Sequence, residues 1–313
     1  MNRREKWKQK KNMNLKQKDT QSKVYLVTGA TAGIGQAAAL LLAEQGATVV
    51  GVGRNPAKNE YSTQMIKEKT GNPSVEYLLA DLSSQKEIRA LAQQFQAKYD
   101  RLDVLINNAG ATFGERLESV DGIEMTFALN HLGYFLLTNL LSDILEASAP
   151  SRVINVSSSL HKLGKINFGD IHFKEGYARS KAYQRSKLAN IAFTYELARH
   201  FCNQKVTVNA MNPGLVATNV GQTAGGISAK AKGLVDKIAG LTPEEGAQTI
   251  IYLATSPEVI GVTGRYFVKE KSVPSSKISY DLEFCRRLWT LSESLITPNG
   301  KNGDEPDTAK ELR

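Results

Sequence analysis

The chain has 313 residues, 41% hydrophobic and 23% charged, a balance that fits an ordinary globular protein and allows one large α/β domain or two small ones. Its two cysteines, Cys202 and Cys285, are too few for a disulfide framework and lack metal-ligand spacing, so the expectation is a reduced, cytoplasmic protein with no metal site and both thiols buried as fillers. The net charge of +9 is local: residues 1–23 hold nine Lys or Arg against Glu5 and Asp19 and carry +7 of it, which leaves a body close to neutral and no nucleic-acid partner expected.

In chain order, residues 1–22 come first as a basic tail. One Trp, one Leu and two Met among polar and charged neighbours offer too little apolar surface to offset the entropy of ordering it. A disordered, solubilising arm is expected, with weak peripheral contact to an anionic membrane as its one further use. No run in it is apolar enough for a signal peptide or a transmembrane segment.

From residue 23 to 297 short Val- and Ile-rich runs alternate with helical stretches. Strands are predicted at Val24 to Thr28, Thr48 to Val52, Val75 to Leu79, Val104 to Ile106, Arg152 to Val156, Val206 to Ala210 and Arg265 to Val268. Helices are predicted at Ile34 to Gln45, Ala57 to Lys69, Gln85 to Tyr99, Gly122 to Glu146, Ala182 to Phe201 and Pro243 to Leu253. The strands show no clean alternation, as suits strands covered on both faces. Seven of them separated by helices predict a single doubly wound α/β domain of the Rossmann type, with a seven-stranded parallel sheet and ligand beyond the carboxyl ends of the strands. A polar tail, 298–313, closes the chain.

The first strand runs into Thr28-Gly29-Ala30-Thr31-Ala32-Gly33-Ile34-Gly35 and then an Ala- and Leu-rich helix. Glycines between strand and helix permit a tight turn and close backbone approach, and helix-start amides face a pyrophosphate, so Gly29, Thr31, Gly33, Ile34 and Gly35 are candidate cofactor contacts. The second strand ends at Gly53-Arg54, where a carboxylate would mark NAD. With no acid there, room at Gly53 and a guanidinium fork at Arg54, the expected cofactor is NADP(H).

Tyr183 and Lys187 lie four residues apart, which on a helix stacks them on one face. A positive charge beside a phenol stabilises the phenolate and moves its pKa toward working pH, which suits proton exchange with a substrate oxygen. The same spacing also arises on amphipathic helices with a half-buried Tyr and a solvated Lys.

Taken together, the motifs resemble those of the short-chain dehydrogenases and reductases over about residues 23–268: Thr28-Gly29-x-x-x-Gly33-x-Gly35, Asp81-Leu82, Asn107-Asn108-Ala109-Gly110, Asn130, Ser157-Ser158-Ser159, Tyr183-x-x-x-Lys187, and Asn212-Pro213-Gly214 with Thr218. Asn130 to Thr138, Ser148 to Ser158, Ser186 to Asn190 and the C-terminal Arg287 to Glu293 look most like the retinol dehydrogenase group. The resemblance implies that Tyr183 is the general acid, that Lys187 holds the nicotinamide ribose and lowers the Tyr pKa, that Ser158 donates to the substrate oxygen, and that Asn130 binds a water resupplying the proton. It implies adenine-side contacts for Asp81 and Leu82, a passage of Asn108, Ala109 and Gly110 under the adenine ribose, and nicotinamide and pyrophosphate contacts for Pro213, Gly214 and Thr218. Asp81 also suits a helix cap near Ser83. The glycine-rich stretch near 215–240 occupies the substrate-loop position and holds no charged pair that would demand an ionic substrate, so an apolar aldehyde or ketone and its alcohol are the expected small-molecule partners. His161, His172 and Phe168 are expected to wall the pocket, with the histidines as satisfied loop residues. A homo-oligomer through the long flanking helices is a further expectation of the family. The other reading is a catalytically silent NADP-binding sensor or scaffold.

Overall fold

A computed structural model describes residues 23–202, 205–214 and 241–297. The basic tail 1–22, the expected substrate loop 215–240 with Thr218, and the tail 298–313 lie outside the described residues. The strands are β1 (Val24–Thr28), β2 (Thr48–Gly53), β3 (Val75–Leu79), β4 (Val104–Asn107), β5 (Ser151–Val156), β6 (Val206–Asn212), β7 (Arg265–Val268) and β8 (Lys271–Ser272). They form one sheet in the order β3-β2-β1-β4-β5-β6-β7-β8. Every pairing from β3 to β7 is parallel, and β8 returns antiparallel on β7 with Phe267 opposite Ser272. The seven expected strands are present, and the two-residue β8 adds an eighth that is too short and polar to stand out in the sequence.

The order reverses between β1 and β4, so the crevice beyond Thr28 and Asn107 is the switch point where a doubly wound sheet takes its ligand. Alternation along each strand sends side chains to opposite faces. Leu26, Val50, Val52, Leu105 and Val153 pack on one side with Phe135, Phe193 and Leu197. Tyr25, Val27, Val49, Val104 and Ile106 pack on the other with Ala38, Leu42 and Ile250. Both faces are covered by helices, which is why the strand runs read as continuously apolar.

The helices are α1 (Gly33–Ala43), α2 (Pro56–Thr70), α3 (Gln85–Lys98), α4 (Gly133–Leu140), α5 (Ser142–Ala147), α6 (Arg179–His200), α7 (Pro243–Thr255) and α8 (Leu282–Ile296). Local chemistry sets several ends: Asn55 caps α2 by accepting from Lys58 N, and Gly71 closes it in the left-handed region at φ 68°. Thr242 and Glu245 form a reciprocal capping box on α7. The helix expected over Gly122 to Glu146 is broken, with a helical turn at Met125–Phe127, a π turn at Ala128–Leu132, then α4 and α5. The cause is side-chain competition for the backbone. Asn130 is drawn onto the Ala111 main chain, and farther on Asn139 Nδ2 donates to Phe135 O and Ser142 Oγ to Asn139 O. Gly133 then lets α4 approach the Leu82 carbonyl, 2.7 Å from where a Cβ would stand.

Helix α8 docks through Cys285, Leu288 and Ser292, one buried face at helical spacing, and Trp289 meets Phe135 at 4.8 Å and Phe193 at 5.9 Å between ring centroids. Cys285 is buried as expected, whereas Cys202 is exposed, because it falls in the turn after α6 beyond the last buried residue, Phe201. Among the described residues no helix is long and apolar enough to cross a membrane, and no three His, Cys, Asp or Glu residues gather as metal ligands.

Candidate active site

The turn after β1 is assembled by Thr28 and Asn108. Thr28 Oγ1 donates to Ile106 O at 3.2 Å and accepts from the backbone of Asn108 at 2.8 Å and Ala109 at 3.1 Å. Asn108 Nδ2 returns to Thr28 O at 2.9 Å and Gly29 O at 3.3 Å. Gly29 and Gly33 hold positive φ of 65° and 56°, and a Cβ on Gly29 would stand 2.8 Å from the Ala109 Cα. A Cβ on Gly35 would collide with the Gly29 carbonyl and the Asn108 amide. Gly35 therefore packs α1 against its own turn, and the Asn108 side chain is spent on holding it. Ala32 provides no side-chain cap for α1, whose first turn also lacks an acidic residue. This 11-residue helix thus presents an open, positive N-terminus beside Thr31 and the half-buried Ile34.

At the end of β2 the room expected at Gly53 is filled by protein: a Cβ there would collide with Asn59 Oδ1 and meet Thr31 Cγ2 at 2.5 Å. Arg54 follows, exposed, with no partner among the described residues. Asp81 makes the cap-type turn: its Oδ1 accepts from Ser83 N at 2.9 Å and Ser83 Oγ at 2.7 Å, while Ser84 caps α3. Leu82 beside it is buried at 4% exposure.

Across the crevice, α6 brings Tyr183 and Lys187 to the end of β5. Lys187, 3% exposed, donates from Nζ to Val156 O at 3.0 Å, with the Tyr183 ring 5.6 Å and the Tyr134 ring 5.7 Å away. The other two N–H groups of an ammonium there meet no acceptor among the described residues. Burial alone pulls the Lys187 pKa down from 10.5 to about 7. Tyr183 is half buried; burial pushes its pKa up and a hydrogen bond with the Ser158 hydroxyl opposes the rise. The expected lowering by Lys187 is thus not the leading effect in the protein alone, because burial acts on both groups against charge.

The serines separate cleanly. Ser157 is buried, donating from Oγ to Lys187 O at 2.8 Å. Ser159 is exposed. Ser158 is half buried and its hydroxyl meets Tyr183. Asn130, fully buried in the π turn, accepts from Ala111 N at 2.9 Å and donates to Ala111 O at 3.0 Å and Ser186 Oγ at 3.1 Å. Its side-chain donors are fully engaged, and its main-chain carbonyl accepts from Asn190 Nδ2 at 2.9 Å. Gly110 joins the two halves: a Cβ there would lie 3.2 Å from Asn130 Oδ1 and 3.6 Å from Lys187 Nζ. Pro213 and Gly214 follow β6, with Gly214 at φ 86° donating to Asn212 Oδ1 at 3.1 Å.

A sheet of this order, with a glycine turn on one lip of its crevice and a Ser, Tyr and Lys cluster on the other, agrees with the comparisons to known proteins. The short chain dehydrogenase family model matches residues 23–225. Retinol dehydrogenase 14 of Homo sapiens is 43% identical over 290 residues, covering 88% of this chain and 86% of that protein. The chain belongs to the short-chain dehydrogenase family. Within it this dehydrogenase sits with retinol dehydrogenase-like members and is an oxidoreductase of CH–OH groups. Polyprenol dehydrogenase of Homo sapiens is 41% identical over 276 residues, with 86% and 84% of the two chains covered. The Pseudomonas aeruginosa RhlG/NADP active-site complex superposes with a TM-score of 0.64 at 29% identity, covering 78% of this chain and 93% of that one.

Several residues that carry no individual role in the sequence shape the dehydrogenase's site. Asn190 Nδ2 bridges Asn130 O and, at 3.4 Å, Val156 O. His131, buried with its pKa pulled down to about 3 by burial, lies 3.3 Å from Asn190 Oδ1 and 2.9 Å from Ser292 Oγ. Arg185 and Glu124 form a buried ion pair at 2.9 Å, and Glu124 accepts from the amides of Thr126 and Phe127. The signal for Asn190 is spacing, since it follows Lys187 by three residues on α6, whereas Arg185, two residues from each member of the pair, turns away to Glu124.

Proposed function

We propose that this dehydrogenase interconverts an apolar aldehyde or ketone with its alcohol and uses NADP(H). The observation that carries the reading is the buried Lys187, whose Nζ meets only the Val156 carbonyl among the described residues, beside Tyr183, whose pKa the neighbouring Ser158 hydroxyl acts to lower. A nicotinamide dinucleotide fits the residues present. The open N-terminus of α1 and the close approach at Gly29 suit a pyrophosphate, the Lys187 donors that meet no acceptor among the described residues suit ribose hydroxyls, and Arg54, exposed and without a partner among the described residues, suits a 2′-phosphate. When bound it would supply or accept the hydride.

In reduction, Ser158 donates to the substrate oxygen and Tyr183 gives its proton to that oxygen as charge develops on it. Lys187 orients the ribose and, once charged, favours the phenolate left behind. Asn130 holds the π turn through its bonds to the Ala111 main chain, and its main-chain carbonyl would bind a water that returns the proton. Asp81, Leu82, Asn108, Ala109 and Gly110 would contact the adenosine half, and Pro213 and Gly214 the nicotinamide end. An apolar substrate is supported by Leu160 and Leu163, exposed at 41% and 63% on the turn next to Ser158, and by two relatives named for lipophilic alcohols, retinol and polyprenol.

The test is a panel of aldehydes and ketones with NADPH and NADH in parallel. Turnover with NADPH, lost in Tyr183→Phe while NADPH still binds, is the expected result. Arg54→Ala should weaken NADPH binding by roughly ten- to hundredfold, the value of one or two charge-assisted hydrogen bonds, and barely alter NADH. A preference for NADH would refute the assignment of Arg54, and no turnover across the panel would favour a silent sensor.

A further inference from the structure

His161 lies in the 3₁₀ turn Ser159–Leu163 directly after β5, is fully buried, and takes no part in the reaction described above. Its two ring nitrogens face main-chain groups of fixed polarity. The Ser276 N–H donates to Nε2 at 3.1 Å, and Nδ1 lies 2.6 Å from the carbonyl oxygen of Ser158. An amide N–H only donates, so Nε2 must carry no proton. A carbonyl only accepts, so Nδ1 must carry one. Both conditions are met by a single species, the neutral Nδ1–H imidazole. Burial pushes the His161 pKa down, the bond to the Ser158 carbonyl acts against it, and the charge of neighbouring Lys162 adds to the fall. The Tyr266 ring, edge-on at 4.9 Å between centroids, packs against the imidazole from β7.

The far anchor is itself braced. Ser275 Oγ shares hydrogen bonds with Tyr195 OH at 2.7 Å and Ser279 Oγ at 2.8 Å, Tyr280 OH accepts from Ser275 N at 3.1 Å, and the Tyr195 and Tyr280 rings stack at 5.2 Å. On the near side the Ser158 carbonyl also accepts from His161 N at 3.1 Å, so one residue grips that peptide twice. The Ser158 hydroxyl accepts from Leu160 N at 3.2 Å and meets Tyr183. Rotation of the Ser158 peptide would therefore move the hydroxyl off the phenol.

We propose that His161 is a positioning residue: through its Nδ1–H bond to the Ser158 carbonyl it fixes the serine hydroxyl against Tyr183, and through Nε2 it makes the segment around Ser276 part of the working site. The proposal rests on the oxidoreductase reading for its consequence, and on hydrogen-bond polarity for its geometry.

Three variants test it. His161→Asn places an amide donor where Nδ1 stands and keeps the hold on Ser158. His161→Gln reaches toward Ser276 and loses that hold, and His161→Leu loses both. With NADPH and the best carbonyl substrate of the panel, His161→Leu and His161→Gln should lower kcat by about ten- to hundredfold, the cost of misplacing one group in a site. NADPH affinity, followed by fluorescence titration, should change little, and His161→Asn should recover most of the loss. Equal impairment of Asn and Leu variants, or a loss confined to KM, overturns the role. Selective ¹⁵N-histidine labelling reads the geometry without turnover: the signal that disappears in His161→Leu should be a neutral ring protonated at Nδ1 at about pH 6. A ring protonated at Nε2 overturns the proposal. An inactive parent with the Nδ1–H signature intact would defeat the reaction reading, and the role with it, while leaving the hydrogen bonds standing.

Discussion

Replacing Lys187 by Met should change how the stability of this dehydrogenase depends on pH. Lys187 is 3% exposed and burial lowers its pKa to about 7, against 10.5 for an ordinary lysine. Between those two values the unfolded chain holds a proton that the folded protein has released, so folding grows more favourable as pH rises through this window. The slope for one such group is about 1.4 kcal/mol per pH unit. From pH 7 to 9 it adds roughly 2 kcal/mol to the parent, allowing for partial titration near pH 7. Lys187→Met removes the titration but keeps an apolar stem of similar length. The Val156 carbonyl that loses Nζ still accepts from Asn190 Nδ2 at 3.4 Å, so the substitution leaves no orphaned acceptor. Urea unfolding of parent and variant at several pH values, with no dinucleotide added, measures the difference. Tyrosines and cysteines common to both proteins cancel in that difference. The stability of the parent minus that of the variant should rise by about 2 kcal/mol from pH 7 to pH 9. Parallel profiles would refute the reasoning and mean that Lys187 stays an ammonium throughout, which would return to it the charge-based lowering of the Tyr183 pKa.

Two further substitutions probe the groups around the pair. Tyr134 is fully buried and its hydroxyl has no hydrogen-bond partner among the described residues, so Tyr134→Phe should leave turnover near the parental value and raise unfolding stability by about 1 kcal/mol; a loss of that size would reveal a partner for the hydroxyl. Arg185→Met strands Glu124, which is 0% exposed, and should cost roughly 3–5 kcal/mol, with much of it recovered when Glu124→Gln is added, as a double-mutant cycle in urea would show. An additive double mutant would show that the two charges are not coupled.

The legible parts of the fold are those in which one residue type has one structural use. Val24 to Thr28 reads as a strand because every one of its residues is buried between helices, and the glycines after it read as a turn because two of them take positive φ. The Tyr183 and Lys187 spacing is legible because a helix turns it into adjacency. Long-range side-chain to main-chain bonds are different, since nothing near Asn108 in sequence says that it clamps Thr28, 80 residues away. Gly53 shows the same limit in reverse: an absent side chain reads as space for a ligand, and the space belongs to Asn59 and Thr31. The break in the helix expected over Gly122 to Glu146 has this origin too, because Asn130 keeps helical pattern with its neighbours while its amide is claimed by Ala111. His161 was legible as a satisfied loop residue but not as one that matters. Its two partners lie 3 and 115 residues away, and only when both are in place does their polarity dictate a single protonation state. Tyr183 and Lys187 share one helix, where spacing finds them, whereas Asn108, His161 and Ser292 act from loops and from α8 on partners far along the chain, where position carries no such signal.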